Sequence, residues 1–474
     1  MKVLFFMLLN GFLGIAFANI QTEFTSPNGL KENCRALPPI AGGKYSSKDV
    51  AEEIEYCSLD FYTTPTIALC PKTWSTSPGT MIYDISESGL TQVAYEAQES
   101  CGGAKKGHET LTKYKQSMNQ SGTSGTYSPS SLLYYHLSRF LDTTVDVPVA
   151  VFRTMDRQAH FDRVTRKAHE DKMGKGEMIR KGWEWLYNSE KNPEVYQPAT
   201  DLFTEDMMQI FGVLVHAGGE RYGAEINGLR TNDQNTQFQE TPAYFALREN
   251  ADLATAIQAG IEKAKKNSEM KKALGPAISD LQMAVWMKEL SEIVVLDYIF
   301  SQQDRVGNID YKWYLYWVDA KGKAQSEKWE PASEDTDISR RNMANLNYPQ
   351  QMKGFPTHFL QRTRLTDNDA GGRYIYTNRA KKNNWLIGLY HFSADIYEKL
   401  KLLDADLKAR GEIYKFIASE FRLSEKDIAK IVQHTAEALD ILKTQCKTGN
   451  LRFDLYGPKK VLEGKNAPVA VNCD

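Results

Sequence analysis

The order of the predicted elements is the feature that most constrains how this chain can fold. Alternating or β-branched runs bounded by Gly, Pro or Ser turns predict strands at 80–86, 90–97, 110–116, 146–153 and 309–318. Apolar residues at helical spacing predict helices at 46–56, 130–141, 250–300 and 380–447, with a polar helical stretch at 155–210. Strands followed by helices are typical of the α+β class, so we predict two lobes, a small β-rich N-terminal lobe and a larger helical C-terminal lobe.

Two glycine turns predict hairpins within the β-rich half. The Ser88-Gly89 pair separates the predicted strands at 80–86 and 90–97, which we expect to pair with each other. The Gly218-Gly219 pair separates 211–215 from 222–226, and we expect these two segments to pair as well.

Composition excludes several classes of protein. Apolar residues make up 42% and charged residues 25% of the 474 positions, which argues against a disordered, collagenous or coiled-coil chain. Lys and Arg number 58 and Asp and Glu 60, a formal charge of −2. A chain this close to neutrality does not carry an extended nucleic-acid-binding surface, so we expect no nucleic-acid partner.

The first 18 residues predict export. They read MKVLFFMLLNGFLGIAFA, with Lys2 before an apolar run that ends in the small-residue pattern Ala16-Phe17-Ala18. This arrangement is typical of a secretory signal peptide, and a membrane anchor is the alternative. We therefore expect the protein to be periplasmic or secreted, without stable membrane insertion after cleavage.

The cysteine content agrees with export. Six are present, at positions 34, 57, 70, 101, 446 and 473. An even number in an exported chain favours disulfides, although the sequence leaves the pairing open. A zinc site is the alternative, but no CxxC or HxxxH spacing supports it.

Two distant acidic segments carry the chemistry. The segment EIVVLDYIFSQQDRVGNID (292–310) predicts a helix, then a polar loop with Asp304 and Asn308, then a strand. Downstream, FLQRTRLTDNDAGGR (359–373) delivers Asp367, Asn368 and Asp369 into a Gly-Gly turn. Phosphoryl transfer needs such parts, because one Asp orients the attacking hydroxyl while an Asn and a second Asp hold Mg²⁺ or Mn²⁺ across the phosphates.

These segments resemble a known family. LDYIFSQQDRVGNI is similar to the catalytic loop of atypical protein-kinase-like enzymes, namely the secreted kinases of the Golgi casein-kinase type, the HipA-like serine kinases and the phosphatidylinositol 3- and 4-kinases. The segment PSSLLYYHLSRFLDTTVDVPVAVFR (129–153) resembles a helix and strand of the secreted kinases. LTKYKQ (111–116) resembles their L-F-K-P strand, whose Lys binds ATP phosphates.

The resemblance implies a role for each matching residue. Asp304 is the candidate catalytic residue, and Asn308 and Asp367 are the candidate metal ligands. Lys115, with Lys113 as the alternative, is the candidate ATP-binding lysine. The turn from Ser86 to Gly89 is the candidate loop over the phosphates, where small residues allow close backbone approach. The implied cofactors are ATP and Mg²⁺ or Mn²⁺.

The same resemblance implies a division of the chain. Residues 1–18 are the predicted signal peptide and 19–70 a Cys-bearing extension. Residues 71–225 form the kinase-like N-lobe with a helical insertion at about 155–210, and 226–474 form the C-lobe.

Three positions depart from the family pattern. Val306 follows Arg305 where the family has His, in a loop one residue shorter. Ser131 stands where the family helix carries the Glu that pairs with the ATP-site Lys, so another acid, Glu96 or Glu99, would have to take its place. The family turn D-N-G is D-N-D here, which makes Asp369 a second candidate metal ligand.

The favoured function is an exported kinase that moves the ATP γ-phosphoryl to a hydroxyl of a protein Ser/Thr, a glycan or a lipid. A catalytically impaired pseudokinase that serves as a binding scaffold, and an AMPylase on the same fold, are alternatives. From another class, a carbohydrate- or surface-binding protein is suggested by the aromatic strand 311–317.

Overall fold

The protein has the predicted two-lobed α+β architecture, with a sheet in its N-terminal half and packed helices in its C-terminal half. A computed structural model describes residues 20–98, 101, 108–171, 176–216, 218–228, 234–268, 278–329 and 354–474. The predicted signal peptide, residues 1–18, lies outside the described residues. The proposed division of the chain at 70 and 225 stays a prediction.

Seven strands form one antiparallel sheet in the spatial order β1-β2-β6-β7-β5-β4-β3. Their bounds are β1 Gln21–Thr25, β2 Lys31–Arg35, β3 Ile67–Pro71, β4 Thr80–Asp84, β5 Glu109–Gln116, β6 Ala150–Asp156 and β7 Gln209–Val215. The predicted strands at 80–86 and 110–116 are therefore confirmed, and they pair directly with each other as β4 and β5.

Helices of the N-terminal half cover this sheet. They are α1 Ser47–Ser58, α2 Gln92–Glu96, α3 Pro129–Leu141, α4 Arg157–His160, a π-helical turn Phe161–Thr165, α5 Arg166–Glu170 and α6 Glu177–Lys191. Helix α3 begins with Pro129, whose fixed φ suits the first helical position, and all but one of its residues are buried. It therefore packs as a core helix between the sheet and the C-terminal lobe.

The C-terminal half combines a smaller sheet with a helical bundle. Its strands are β8 Glu220–Arg221, β9 Asp310–Val318, β10 Ala324–Lys328, β11 Thr357–Arg364, and a short parallel pair, β12 His391–Phe392 and β13 Arg452–Phe453. Its helices are α7 Ala224–Asn227, α8 Gln234–Gln239, α9 Pro242–Leu247, α10 Leu253–Lys265, α11 Asp280–Phe300, α12 Arg379–Lys382, α13 Ala394–Ala409, α14 Glu412–Glu420, α15 Glu425–Lys447 and α16 Pro458–Leu462.

Helix α11 positions the candidate catalytic loop. It is buried from Gln282 to its last residue, Phe300, and so forms the centre of the C-terminal lobe. Ser301 ends it with a positive φ of 54°, which turns the chain out of the helix axis. The loop with Asp304 and Asn308 follows and leads directly into β9.

Two predicted hairpins are wrong, for local and tertiary reasons. The segment 90–97 is not a strand, because the Thr91 hydroxyl accepts a hydrogen bond from the Ala94 N–H and caps the short helix α2. The segment 222–226 does not pair with 211–215. The strand after the glycine pair is β8, which joins β9 of the other sheet, and residues 224–227 are helical.

The six cysteines form three disulfides, Cys34–Cys57, Cys70–Cys101 and Cys446–Cys473. The prediction of disulfides is therefore confirmed, and the pairing that the sequence left open is one of neighbours along the chain. Such bonds fit an oxidising compartment. A search of the described residues finds no helix with the length and apolar character needed to cross a bilayer.

Candidate active site

Strand β5 presents two lysines to the cleft between the lobes. Lys113 and Lys115 are two residues apart, so the pleat of the strand directs both side chains to the same face. Both are buried. The Nζ of Lys115 lies 2.7 Å from Asp369 Oδ1 and 3.3 Å from Asp367 Oδ1, and the Nζ of Lys113 lies 3.6 Å from Asp367 Oδ1. The predicted lysines and the predicted D-N-D turn therefore meet.

The D-N-D turn is held against the start of α3. The Tyr127 backbone N–H donates to the Asp369 carbonyl oxygen (2.6 Å). A Cβ added to Gly371 would lie 3.1 Å from both the Ser130 Oγ and the Phe300 carbonyl oxygen, so a larger residue would have to push these neighbours apart. The Gly-Gly pair thus lets the acidic turn lie between α3 and the end of α11.

A fully buried arginine joins the two acidic segments. Arg305 Nε and Nη2 donate to the two carboxylate oxygens of Asp297 (2.8 and 2.9 Å), and Nη2 also donates to Asn368 Oδ1 (2.9 Å). The Tyr134 hydroxyl on α3 donates to the same Asp297 carboxylate (2.7 Å). This network, which we call the Arg305 network, connects α3, α11, the candidate catalytic loop and the D-N-D turn.

Arg221 on β8 lies between the two candidate metal ligands. Its guanidinium contacts Asn308 Oδ1 (2.5 Å), Asp367 Oδ2 (3.1 Å) and Asp310 Oδ1 (2.5 Å). Gly219 makes this approach possible, because an added Cβ would lie 2.9 Å from the Cβ of Asp310. Arg221 was not among the predicted site residues, and the glycine pair before it was the available signal.

The donor set suits a hard divalent cation. No group of three or more His, Cys, Asp or Glu side chains arranged to hold a metal occurs in the described part of the chain. Asn308 and Asp367 nonetheless direct oxygen atoms at a single cationic group, the Arg221 guanidinium. Mg²⁺ is bound in this way by one or two protein oxygens together with phosphates and water, so these residues fit Mg²⁺ or Mn²⁺ with a nucleotide.

Asp304 lies at the mouth of the cleft, where part of its side chain is exposed. Its backbone N–H donates to Gln302 Oε1 (3.1 Å), and its carbonyl oxygen accepts from Asn308 Nδ2 (2.8 Å), which fixes the loop around it. Desolvation by the cleft walls raises the pKa of the Asp304 carboxyl to about 6, and the negative charges of Asp367 and Asp369 act in the same direction.

The charges inside the cleft act on each other strongly. Burial would raise the pKa of Asp367, but Lys115, Lys113, Lys72 and Arg221 outweigh it and hold that pKa well below its usual range. Burial and the charge of Lys115 lower the pKa of Lys113 to about 7. Cationic and acidic side chains therefore lie close together in the cleft in similar numbers.

The structure does not bring Ser86 and Gly89 to these charges. They follow the end of β4 at Asp84, whereas Lys115 lies beyond the other end, where Thr80 pairs with Tyr114. The strand between them spans about 13 Å. The β3–β4 loop, 72–79, lies at the lysine end, with Lys72 at its start.

Asp369 is the acid that pairs with Lys115 in place of the missing helix Glu. Ser131 is buried on α3, and its hydroxyl has no hydrogen-bond partner among the described residues. Glu96 binds Arg163 (2.6 Å from Nη2) and so does not serve Lys115, and Glu99 lies outside the described residues. Asp369 contacts Lys115 instead.

Comparisons with known proteins give one kind of match. No protein-family model and no curated protein matches the chain. Two solved structures, described as "crystal structure of the Golgi casein kinase with Mn/ADP bound" and "Crystal structure of the golgi casein kinase", are each 10% identical to it. The match to the first structure covers 86% of this chain and 79% of the kinase chain, with a TM-score of 0.39. The match to the second structure covers 88% of this chain and 80% of the kinase chain, with a TM-score of 0.38.

At a TM-score below 0.4 the overlap itself carries no argument about the site.

Proposed function

We propose that the protein is a metal-dependent phosphotransferase that moves the γ-phosphoryl group of ATP to a hydroxyl acceptor. The observation that carries the proposal is the contact of the Lys115 amine with both Asp367 and Asp369, in the cleft that also holds Asp304 and Asn308. This arrangement combines a phosphate-binding cation, metal-binding oxygens and a carboxylate able to receive a proton.

The cationic side chains would bind the triphosphate. Lys113 and Lys115 from β5, Lys72 from the β3–β4 loop and Arg221 from β8 all act on Asp367. Their combined charge matches the negative charge of a nucleoside triphosphate, which hydrogen-bonds more strongly to charged donors than to neutral ones. The loop 72–79, rather than the turn Ser86–Gly89, is the segment suited to cover the phosphates, because it is adjacent to these lysines.

Asn308 and Asp367 would hold Mg²⁺ or Mn²⁺, with Asp369 as a further candidate. A divalent ion in this place supplies the positive charge that offsets the charge developing on the transferred phosphoryl group. Arg221 now occupies the space between the two oxygens, so its guanidinium would have to move away from Asn308.

Asp304 would orient the acceptor hydroxyl and take its proton. Its partly exposed position at the mouth of the cleft leaves room for an acceptor. The raised pKa makes the carboxylate a better proton acceptor than an unperturbed Asp. The acceptor is a hydroxyl of a protein Ser/Thr, a glycan or a lipid, and the three disulfides support export to a periplasm or to the outside of the cell.

The test incubates the oxidised full chain with ATP labelled at the γ or α phosphate, with Mn²⁺ or with a chelator. We expect transfer of the γ label only, in the presence of the ion only. Asp304→Asn should lose transfer by about 10³-fold while keeping Mn²⁺-dependent nucleotide binding, because a base contributes to the chemical step. Asp367→Asn should lose both. Asp440→Asn, an exposed carboxylate on α15, is the matched control and should change neither.

The other functions are outcomes of the same experiment. Transfer of the α label identifies an AMPylase. Nucleotide binding without transfer of either label identifies a pseudokinase, for which the loss of the helix Glu at Ser131 would be the cause. Absence of Mn²⁺-dependent binding would overturn the proposal for this fold as a whole.

A further inference from the structure

A large cavity in the described part of the molecule has a lining that is separate from the candidate active site. It has a volume of about 1050 Å³ and is bounded by the start of α1, the end of α3, strands β9 and β11, and helix α13. None of Lys115, Asp304, Asn308 and Asp367 lines it. Its volume is sufficient for a small organic molecule, since binding pockets of this kind range over about 300–1,000 Å³.

Positive charge exceeds negative charge on the cavity wall. Nine Lys and Arg side chains line it, against six Asp and Glu side chains. Lys48 is largely exposed, and its nearest carboxylate, Glu52, is 3.6 Å away. Two of the nine, Lys288 and Arg362, pair with Glu292 and Glu289 behind the wall, so seven lining cations remain against six lining carboxylates.

Arg364, at the end of β11, is the most deeply buried of these cations, with 3% of its surface exposed. Its Nη1 is paired with Asp146, but its Nε is buried and has no hydrogen-bond partner among the described residues. A buried N–H of a guanidinium that is left without an acceptor costs free energy, and an anion in the cavity would supply the acceptor.

Lys312 adds a further charge beside this wall. It lies on β9 opposite Arg362 and on the same face as Tyr314, which lines the cavity. Its Nζ is 3.1 Å from His216 Nε2. Burial, Arg364 and Lys328 lower the pKa of Lys312 to about 7. Asp146 is the carboxylate that acts on both Arg364 and Lys312, so one carboxylate serves two cations there.

We propose that this cavity binds a small molecule that carries a phosphate or sulfate group, with the anion held by Arg364, Lys312 and Lys48. A tetrahedral oxyanion can accept hydrogen bonds from several cations at once, which a further carboxylate of the protein does not do here. The size of the cavity leaves space for an organic body, and the ring of Tyr314 offers it an apolar surface. The proposal is independent of the proposed phosphotransfer.

The test measures binding of four probes to the oxidised full chain by titration calorimetry: inorganic pyrophosphate, sulfate, glucose 6-phosphate and a sulfated disaccharide. The variants are Lys48→Gln with Lys312→Gln, which spare the buried Arg364. Lys321→Gln, in the exposed β9–β10 turn, is the control with the same change of charge per residue. The four probes distinguish phosphate from sulfate and a free ion from an esterified one.

We expect the affinity of the cavity for the anionic probe to fall by about tenfold or more in the double variant, because two charged hydrogen-bond donors are removed. The control should bind as the unchanged chain does. Identical isotherms for the double variant and the unchanged chain, or no binding of any probe, would overturn the proposal. Binding of pyrophosphate at the catalytic lysines survives the double substitution, so it is not mistaken for binding in the cavity.

Discussion

The molecule contains two charge clusters that share the same acidic turn but differ in how far their groups are satisfied. In the Arg305 network, Asp297 receives two hydrogen bonds from Arg305 and one from Tyr134, and the arginine is fully buried. In the cleft, Lys113 is 3.6 Å from its nearest carboxylate oxygen and has a lowered pKa. The first cluster is complete within the protein, whereas the second contains a buried cation that is only loosely paired.

The difference suits the Arg305 network to positioning residues and the cleft cluster to binding a ligand. A satisfied buried pair resists movement, because loss of either partner leaves an uncompensated charge in the interior. It can therefore hold Asp367 and Asp304 in a fixed relation. A loosely paired buried cation gains from an added anion, which is what a nucleotide would supply.

Arg305→Met should destabilise the protein by about 3–5 kcal/mol, because Asp297 would be left buried without its cation. Chemical unfolding of the oxidised chain checks this. Arg166→Met is the control: its pair with Asp162 lies on the surface, so the cost should be about 0–1 kcal/mol. Equal free energies of unfolding for the two variants would contradict the role given to the Arg305 network.

Glu53 on α1 is a buried acid whose charge is only partly satisfied within the protein. It accepts a hydrogen bond from the Tyr135 hydroxyl (2.8 Å), yet burial raises its pKa to about 7. The folded state thus keeps the proton between pH 4.5 and 7 while the unfolded state loses it. Stability should therefore fall as pH rises through this window, by up to about 3 kcal/mol from this group.

Glu53→Gln should remove this part of the pH dependence. The unfolding free energies of the variant and the unchanged chain, compared at pH 5 and pH 8, isolate it from other groups such as His136, whose pKa burial lowers to about 3. We expect the variant to gain relative stability at pH 8. A constant difference at the two pH values would refute the assignment.

Lys113→Met tests the unsatisfied cluster. Methionine has a similar length and no charge, so the protein should become more stable by about 1 kcal/mol, since a poorly paired buried cation is removed. Binding of ATP with Mn²⁺ should weaken at the same time. A fall in thermal stability together with unchanged nucleotide binding would show that Lys113 is structural.

Arg221→Met should have the smallest effect. The guanidinium occupies the space between Asn308 and Asp367, so its removal should strengthen Mn²⁺ binding to the nucleotide-free protein by about fivefold, or about 1 kcal/mol. Electron paramagnetic resonance of free Mn²⁺ measures this directly. Weaker Mn²⁺ binding in the variant would mean that Arg221 organises the oxygens rather than competing for them.

Local sequence signals predicted one part of the site. Strand β5 and the loop after α11 have clear patterns, so Lys113, Lys115, Asp304 and Asn308 could be assigned to elements, and the acidic turn could be expected to meet them. The structure brings these residues together, while their catalytic roles stay predictions.

Residues supplied by tertiary pairing were not predictable. Arg221 reaches the site because β8 pairs with β9. Strand β8 has only two residues, which is too short to give a recognisable sequence pattern. Lys72 does so because β3 and β4 form a hairpin with its loop at the lysine end of β5. The turn Ser86–Gly89 was chosen for its small residues, but it lies at the other end of β4. Composition does not show which end of a strand faces the cleft, so it could not exclude this turn.

The most direct test of the central claim is anomalous diffraction from crystals of the oxidised protein grown with Mn²⁺ and a non-hydrolysable ATP analogue. The account predicts a Mn²⁺ peak about 2.1 Å from Asn308 Oδ1 and an oxygen of Asp367, with the analogue's phosphates beside Lys115. A Mn²⁺ peak elsewhere, or none with Arg221 still between the two oxygens, would contradict it.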